Sequence, residues 1–262
     1  MIAAKRLLAF GALLAFFLAN GPVRAEADFG GLPARCNVVA ALRSFGQDLP
    51  QARAAIRDGR ELTIVALGSS STAGSGASNP NATFPAVLES ELSRLLPGHE
   101  VRVINRGVGG NTALQMFHRM DDEVLDEHPA LVIWQTGVND AIVDLGLDRF
   151  RRILRRGIAK LRESGADVVM MDHQPVPRVE RYPLYADYLA ALREVATETG
   201  TAVYRRYDVM NTLLQDGRLT ENELFGPDNL HMVDASYFCV GVTLARTLAE
   251  KLSPRSVETV RR

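Results

Sequence analysis

The chain has 262 residues, of which 47% are hydrophobic and 23% charged, a composition that supports a folded globular protein with one sizeable core. Its formal net charge is −1, with acids and bases interspersed, which excludes the basic face or stripe of a nucleic-acid binder. No internal repeat, low-complexity tract or long Pro/Gly/Ser linker divides it, so a single domain is expected after the N-terminal segment.

That segment carries a targeting pattern. Lys5 and Arg6 precede an apolar run from Leu7 to Ala19, and Gly21, Pro22 and small residues follow. This is the order of a secretory signal peptide, and the run is shorter than the roughly 20 residues a membrane-spanning helix needs. Val23-Arg24-Ala25 and Ala25-Glu26-Ala27 are both acceptable cleavage sites. The expected layout is therefore a signal peptide over 1–25 and one domain over 26–262, periplasmic or secreted, with no stable membrane span after cleavage. An uncleaved anchor is the alternative. Removing 1–25 takes away Lys5, Arg6 and Arg24 and no acid, leaving a mildly acidic protein.

Residues 38–57 read as two short helices, interrupted around Gly46 and Pro50. Leu62–Leu67 is a short apolar run ending at Gly68 and predicts a buried strand; Phe84–Leu96 has helical spacing and stops at Pro97-Gly98. The alternation continues. Strands are expected at Val101–Ile104, Ala130–Trp134, Asp167–Met171 and Thr201–Tyr204. Helices are expected at Thr112–Leu125, Asp148–Glu163, Leu184–Thr199 and Val233–Leu252. Five apolar strands alternating with helices imply an α/β fold with a mostly parallel sheet covered on both faces. Arg149, Arg151, Arg152, Arg155 and Arg156 fall on one helical segment and read as a solvated face.

In such a sheet ligands bind beyond the carboxyl ends of the strands, so the residues just after each strand carry the most information. After the first strand come Gly68, Ser69, Ser70, Ser71 and Thr72. A serine at a strand end is exposed at the sheet edge, where backbone N–H groups can stabilise an oxyanion. The flanking serines exclude the G-x-S-x-G elbow of α/β-hydrolases, and the absence of a following Gly-Lys pair excludes a P-loop. Residue type alone leaves Ser69, Ser70 and Ser71 all open as nucleophiles. After the second strand, Asn105-Arg106-Gly107-Val108-Gly109-Gly110-Asn111-Thr112 fails the dinucleotide fingerprint at Thr112 but still offers bare N–H groups. Gly137-Val138-Asn139-Asp140 places an amide donor at the same edge after the third strand, with Asp140 expected as a structural hydrogen-bonder. Asp228-Asn229-Leu230-His231 precedes the last helix.

Taken in order, these four blocks resemble those of the SGNH (GDSL-like) hydrolases. In that family Gly-Asp-Ser-x-Thr supplies the nucleophile, a glycine in an Asn-x-Gly-x-Ser-Gly-like loop and an Asn in Gly-Thr-Asn-Asp supply oxyanion donors, and Asp-x-x-His completes a triad. The resemblance runs from about Leu62 to the closing helix. It implies a three-layer α/β/α fold of flavodoxin-like type with a five-stranded sheet. By position it assigns Ser70 as nucleophile, Asp228 and His231 as the acid–base pair, and Ser70, Gly110 and Asn139 as the oxyanion hole. The implied activity is ester hydrolysis through an acyl-enzyme, without cofactor. No cluster shows metal-ligand spacing, so no metal is expected. The small polar loop Ser75–Thr83 and the lack of a long apolar lid segment favour short acyl groups, such as acetyl, on a small-molecule or carbohydrate ester. The same site would serve an O-acyltransferase acting on exported polysaccharide, or a lysophospholipase or thioesterase; a non-catalytic carbohydrate-binding protein would not need the Asp228–His231 pair. Three positions depart from the pattern: Ser69 replaces the usual Asp, Gly109 a common Ser, and Met232 a frequent Pro.

His173 and Gln174, directly after the fourth strand, are candidates for lining a substrate pocket. His99, His118 and His128 sit in polar turns or on a helix and suggest no role. Cys36 and Cys239 are the only cysteines. In an exported chain an even count suggests a disulfide, which would clip the N-terminal helices to the closing helix; two buried free thiols are the alternative.

Overall fold

A computed structural model describes residues 31–253 of the protein; the expected signal peptide lies outside the described residues. Five strands form one sheet: β1 (Leu62–Gly68), β2 (Val101–Gly107), β3 (Leu131–Gln135), β4 (Asp167–Met171) and β5 (Ala202–Tyr204). All neighbours pair in parallel, in the order β2-β1-β3-β4-β5. This is the flavodoxin-like arrangement, and its order reverses between β1 and β3, the point at which α/β sheets open a crevice for ligands. Every residue of β1, β3 and β4 is buried, whereas β2, at an edge, alternates between partial burial and exposure. That explains why continuous apolar runs mark the central strands, while β2 extends through polar Asn105 and Arg106 to Gly107, past its expected end at Ile104.

The two faces of the strands feed two cores. Leu62, Ile64 and Ala66 of β1 pack with Leu131, Ile133, Val169 and Met171 against the helices Phe84–Leu95 and Asp234–Leu252. Val65 and Leu67 pack with Val132, Trp134, Val168 and Met170 against the helices Leu147–Glu163 and Tyr185–Glu198. Successive strand residues point to opposite faces, so each strand supplies both cores. Each fully buried Leu, Ile or Phe contributes about 1.5–3 kcal/mol, and removal of water from both faces makes the sheet the rigid base of the molecule.

Two of the longer helical segments also differ from the expected ones. The helix expected over Thr112–Leu125 is broken into Ala113–His118, Met120–Glu123 and a 3₁₀ turn at Leu125–Glu127. The break falls at Arg119, whose guanidinium donates to the carbonyls of Gly68 (3.0 Å) and Arg106 (2.7 Å) at the ends of β1 and β2. Tertiary hydrogen bonds override helical spacing there. The second difference is a helix over Arg206–Gln215, which buries Arg206, Val209, Met210 and Leu213; its first buried residue is charged, which hides the apolar stripe.

Cys36 and Cys239 form a disulfide with Cα atoms 4.9 Å apart, and both are fully buried. It ties the short helix Leu32–Arg35 to the closing helix, and Arg35 adds an ion pair to Glu223 (2.9 Å) just upstream of the Asp228–His231 loop.

Candidate active site

Ser70 opens the short helix Ser70–Ala73 at the carboxyl end of β1, with Ser69 in extended conformation before it. The turn is held from beneath by Gln135, the last residue of β3. Gln135 Oε1 accepts from Ser69 N–H (2.9 Å), Ser69 Oγ (3.0 Å) and Thr72 Oγ1 (3.0 Å). Gly68 makes this approach possible: a Cβ there would lie 2.0 Å from Thr72 Oγ1 and 2.8 Å from Gln135 Oε1. Ser69, at the position where an Asp is usual, is thus a buried hydroxyl bound to an amide.

The Asp228–His231 spacing has a local cause. Asp228 Oδ1 accepts from the backbone N–H groups of Leu230 and His231, both at 3.0 Å, closing a side-chain turn, and Asn229 takes φ +56° inside it. Asp228 Oδ2 is then free to meet His231 Nδ1 at 2.5 Å. A bridge between Phe225 and Met232 and the bond from Gly226 N–H to the His231 carbonyl pin the base of this loop. His231 Nε2 lies 2.8 Å from Ser70 Oγ. Burial pushes the Asp228 carboxyl up, but the hydrogen bonds from the His231 side chain and from the backbone of His231 and Leu230 outweigh it and hold the group below the ordinary carboxylate range. An ionised Asp228 keeps the proton on Nδ1 and turns the basic Nε2 toward Ser70.

Gly110 lies in an exposed turn at φ +76°, a conformation that favours glycine, although no atom would obstruct a Cβ. Asn139 is the second residue of the short helix Val138–Ile142 after β3, and its amide donates to the Asn111 carbonyl at 2.9 Å. One amide N–H of Asn139 remains for a ligand. The backbone N–H groups of Ser70 and Gly110 have no acceptor among the described residues. Asp140 ties these two blocks together: its carboxylate accepts from Ala113 N–H (2.9 Å) and Gly137 N–H (3.2 Å), and burial raises its pKa to about 6. Asp140 is a structural hydrogen-bonder, as its neighbourhood suggested. Arg119 completes the frame by donating to Asn111 Oδ1 at 2.9 Å.

His173 and Gln174 require correction. Neither lines an open pocket: they are 0% and 2% exposed. The chain turns inward after β4, and Tyr185 covers both, with its ring centroid 4.8 Å from that of His173 and its hydroxyl donating to the Gln174 carbonyl at 2.6 Å. His173 makes no hydrogen bond through either ring nitrogen, and burial, with the Arg206 and Arg193 guanidiniums, pushes its pKa down to about 3. It is a neutral interior histidine. Gln174 reaches the back of the Asp228–His231 loop instead, donating to the Leu230 carbonyl at 3.3 Å.

Sequence reasoning missed Gln135, Arg119 and Arg206. Only Gln135 left a signal, as a polar residue ending an otherwise apolar strand beside the Gly137 block. No group of three or more His, Cys, Asp or Glu among the described residues is arranged to hold a metal ion. No helix among them is long and apolar enough to cross a membrane.

Comparison with known proteins adds independent observations. Residues 35–254 match a family described as non-GDSL lipase-like. The esterase TesA of Pseudomonas aeruginosa is 27% identical over 115 residues, covering 44% of this chain and 56% of that protein. The chain spans about half the length of the curated relatives it matches. Among solved structures, the lipase/acylhydrolase from Enterococcus faecalis superposes with a TM-score of 0.63 at 25% identity, covering 74% of this chain and 98% of that one. A two-domain esterase active on acetylated mannans superposes with a TM-score of 0.68 at 19% identity, covering 83% of this chain and 58% of that one. At 19% identity the second likeness concerns the fold alone.

Proposed function

The chain belongs to the non-GDSL lipase-like family of SGNH/GDSL-like hydrolases, and on that footing we propose that it is a serine ester hydrolase in which Ser70 attacks, His231 is the base and Asp228 orients it. The observation that carries this reading is the unbroken hydrogen-bonded line from Ser70 Oγ through His231 to Asp228. In the first step His231 Nε2 takes the hydroxyl proton as Ser70 Oγ bonds to the ester carbonyl carbon. The negative charge moves to the carbonyl oxygen, among the N–H groups of Ser70 and Gly110 and the Asn139 amide. Collapse breaks the bond to the leaving alcohol, which leaves with the proton from His231. Water, activated by the same histidine, then releases the acid and restores Ser70.

The proposed substrates are short acyl esters, such as acetyl groups on carbohydrate or small molecules. The Asp228 and His231 side chains are 51% and 25% exposed, so the site meets solvent directly. Val108 beside Gly110, and Ile142 and Val143 after Asn139, are exposed apolar side chains at the same sheet edge that offer contacts to a short acyl group. The mannan-active neighbour is in keeping with this choice. The proposed location is periplasmic or secreted, supported by the signal-like N-terminus and by a disulfide of the kind oxidising compartments sustain.

Hydrolysis of nitrophenyl esters of increasing acyl length tests both points. The acetate and butyrate esters should turn over fastest, and Ser70→Ala should lower turnover by about 10³-fold or more without unfolding the protein. Turnover retained in Ser70→Ala but lost in Ser69→Ala or Ser71→Ala would overturn the nucleophile assignment. Faster product formation with a sugar acceptor than with water would turn the reading to O-acyl transfer. A preference for long acyl chains would turn it to lysophospholipid or thioester cleavage.

A further inference from the structure

Behind the nucleophile turn lies an arginine that the triad mechanism does not use. Arg206 is 0% exposed; burial pushes its guanidinium below its ordinary value, from a starting point so high that the group keeps its charge at neutral pH. Its Nε donates to the Asp172 carbonyl at 3.0 Å, and its Nη1 donates to Ser71 Oγ, 135 residues away in sequence, also at 3.0 Å. Nη2 has no partner. The Asp172 carboxylate is already engaged: Oδ2 accepts from Arg193 at 2.8 and 2.5 Å, and Oδ1 from Tyr207 N–H at 3.0 Å. Asp208 pairs with Arg193 and Arg205. In this network three guanidiniums meet two carboxylates, and the member without a carboxylate hydrogen bond is the buried one that touches Ser71. The other ionisable groups around Arg206, namely Tyr185, Tyr204 and Tyr237, are phenols that burial keeps protonated, and His173 is neutral, so none of them cancels the surplus.

A buried cation with too few partners destabilises a fold unless something else is gained from it. Ser71 follows Ser70 directly, and the Ser70 N–H is one of the groups proposed to receive the oxyanion. We infer that Arg206 is a positioning residue for ester hydrolysis: through Ser71 it fixes the nucleophile turn, and its charge favours the negative charge that develops beside Ser70 in the transition state. A fixed charge in a dry interior acts much more strongly than one in water and needs no rearrangement as the reaction proceeds. The contribution appears only when charge develops, so it belongs to kcat rather than to substrate binding. This inference rests on the proposed serine esterase reading.

The test uses the full chain with nitrophenyl acetate and the variants Arg206→Met, Arg206→Lys and Ser71→Ala. Arg206→Met should lower kcat about tenfold or more and leave KM within about twofold. Arg206→Lys should retain activity at neutral pH and lose it as the buried lysine gives up its proton, adding an alkaline limb to the pH profile of kcat. The wild type lacks this limb because a guanidinium stays charged. Ser71→Ala, which keeps the cation but cuts its link, should lower kcat about threefold or more, a smaller loss of the same kind. Folded Arg206→Met with wild-type kcat, a loss carried by KM, or unchanged kcat in Ser71→Ala would overturn the inference. If Arg206→Met does not fold, the lysine variant decides: a pH profile of wild-type shape refutes the role of charge. Wild-type hydrolysis that persists in Ser70→Ala would instead refute the esterase reading on which the inference stands.

Discussion

In front of Ser70 stand His231 and Asp228, whose side chains are 25% and 51% exposed and come from a single eight-residue stretch between Phe225 and Met232. Behind it lie Gln135, Asp172, His173 and Arg206, all with no exposed surface and drawn from the ends of β3 and β4 and the helix after β5. The front must meet substrate and water, so its groups are few, local and paired through hydrogen bonds that leave the reacting atoms free. The back meets neither. It holds the nucleophile turn with long-range bonds spanning 63 to 135 residues, several of them to a single amide oxygen. Under the proposed mechanism this is a division of labour in which exposed residues move protons and buried ones keep the serine where that transfer works.

The largest expected effect tests the front alone. Asp228→Ala should lower kcat about 10²- to 10⁴-fold, because His231 loses the partner that sets its tautomer and orientation. Its stability should change little by comparison, since Asp228 is exposed and its loop is also held by the Gly226–His231 backbone bond. A urea unfolding curve that shifts as strongly as the rate would break the distinction.

Gln135→Ala tests the back. It would strand the buried Ser69 N–H and two hydroxyls without their acceptor, at a cost of roughly 3 kcal/mol, given about 1–3 kcal/mol for each buried group left unpaired. The urea midpoint should fall, and turnover should fall with it because the turn is no longer fixed. Gln135→Glu, which keeps an acceptor oxygen in place, should recover part of both. An unchanged midpoint in Gln135→Ala would show that the turn holds itself.

The smallest effect is one of pH. His173 stays neutral in the fold down to about pH 3, whereas in the unfolded chain it takes a proton near pH 6.5. Its folded pKa is depressed, so the stability it contributes is present above 6.5 and is lost as pH falls from there toward 3. By pH 5 the loss is roughly 2 kcal/mol. Asp140 works in the opposite sense: its pKa is raised to about 6, so its contribution is largest at low pH and is lost as pH rises through that value. Against this background His173→Phe, which keeps a ring against Tyr185, should flatten the drop in stability between pH 6.5 and 5. Equal slopes in the two proteins would mean that water reaches His173 in the folded state.

Much of this protein was legible in its residues. The apolar runs of β1, β3, β4 and β5 located four strands to within a residue or so, because a strand buried on both faces needs nearly uninterrupted hydrophobic side chains. The candidate groups of the front could be named through the family resemblance, which assigns them by position to blocks lying directly after a strand or inside a four-residue turn. Asp228 and His231 are an instance: a three-residue spacing lets one carboxylate bind its own turn and the imidazole together. Spacing of this kind is a property of the chain and survives without knowledge of the fold.

What only the tertiary structure decided is the set of contacts between residues far apart in sequence. Nothing near Arg206 distinguishes it from Arg205, yet one is fully buried against Ser71 and the other lies at the surface on Asp208. His173 looked suited to a pocket because it follows a strand, but Tyr185 seals it. Arg119 broke an expected helix to bind the carbonyl ends of β1 and β2. In each case the residue's role depends on which distant atoms the packed sheet brings within about 3 Å of it. Hydrophobic periodicity reports which face of an element is buried but not which partner lies across from it, so the sequence by itself determined the strands and, through the resemblance of its blocks, the candidate groups, and packing decided what holds them in place.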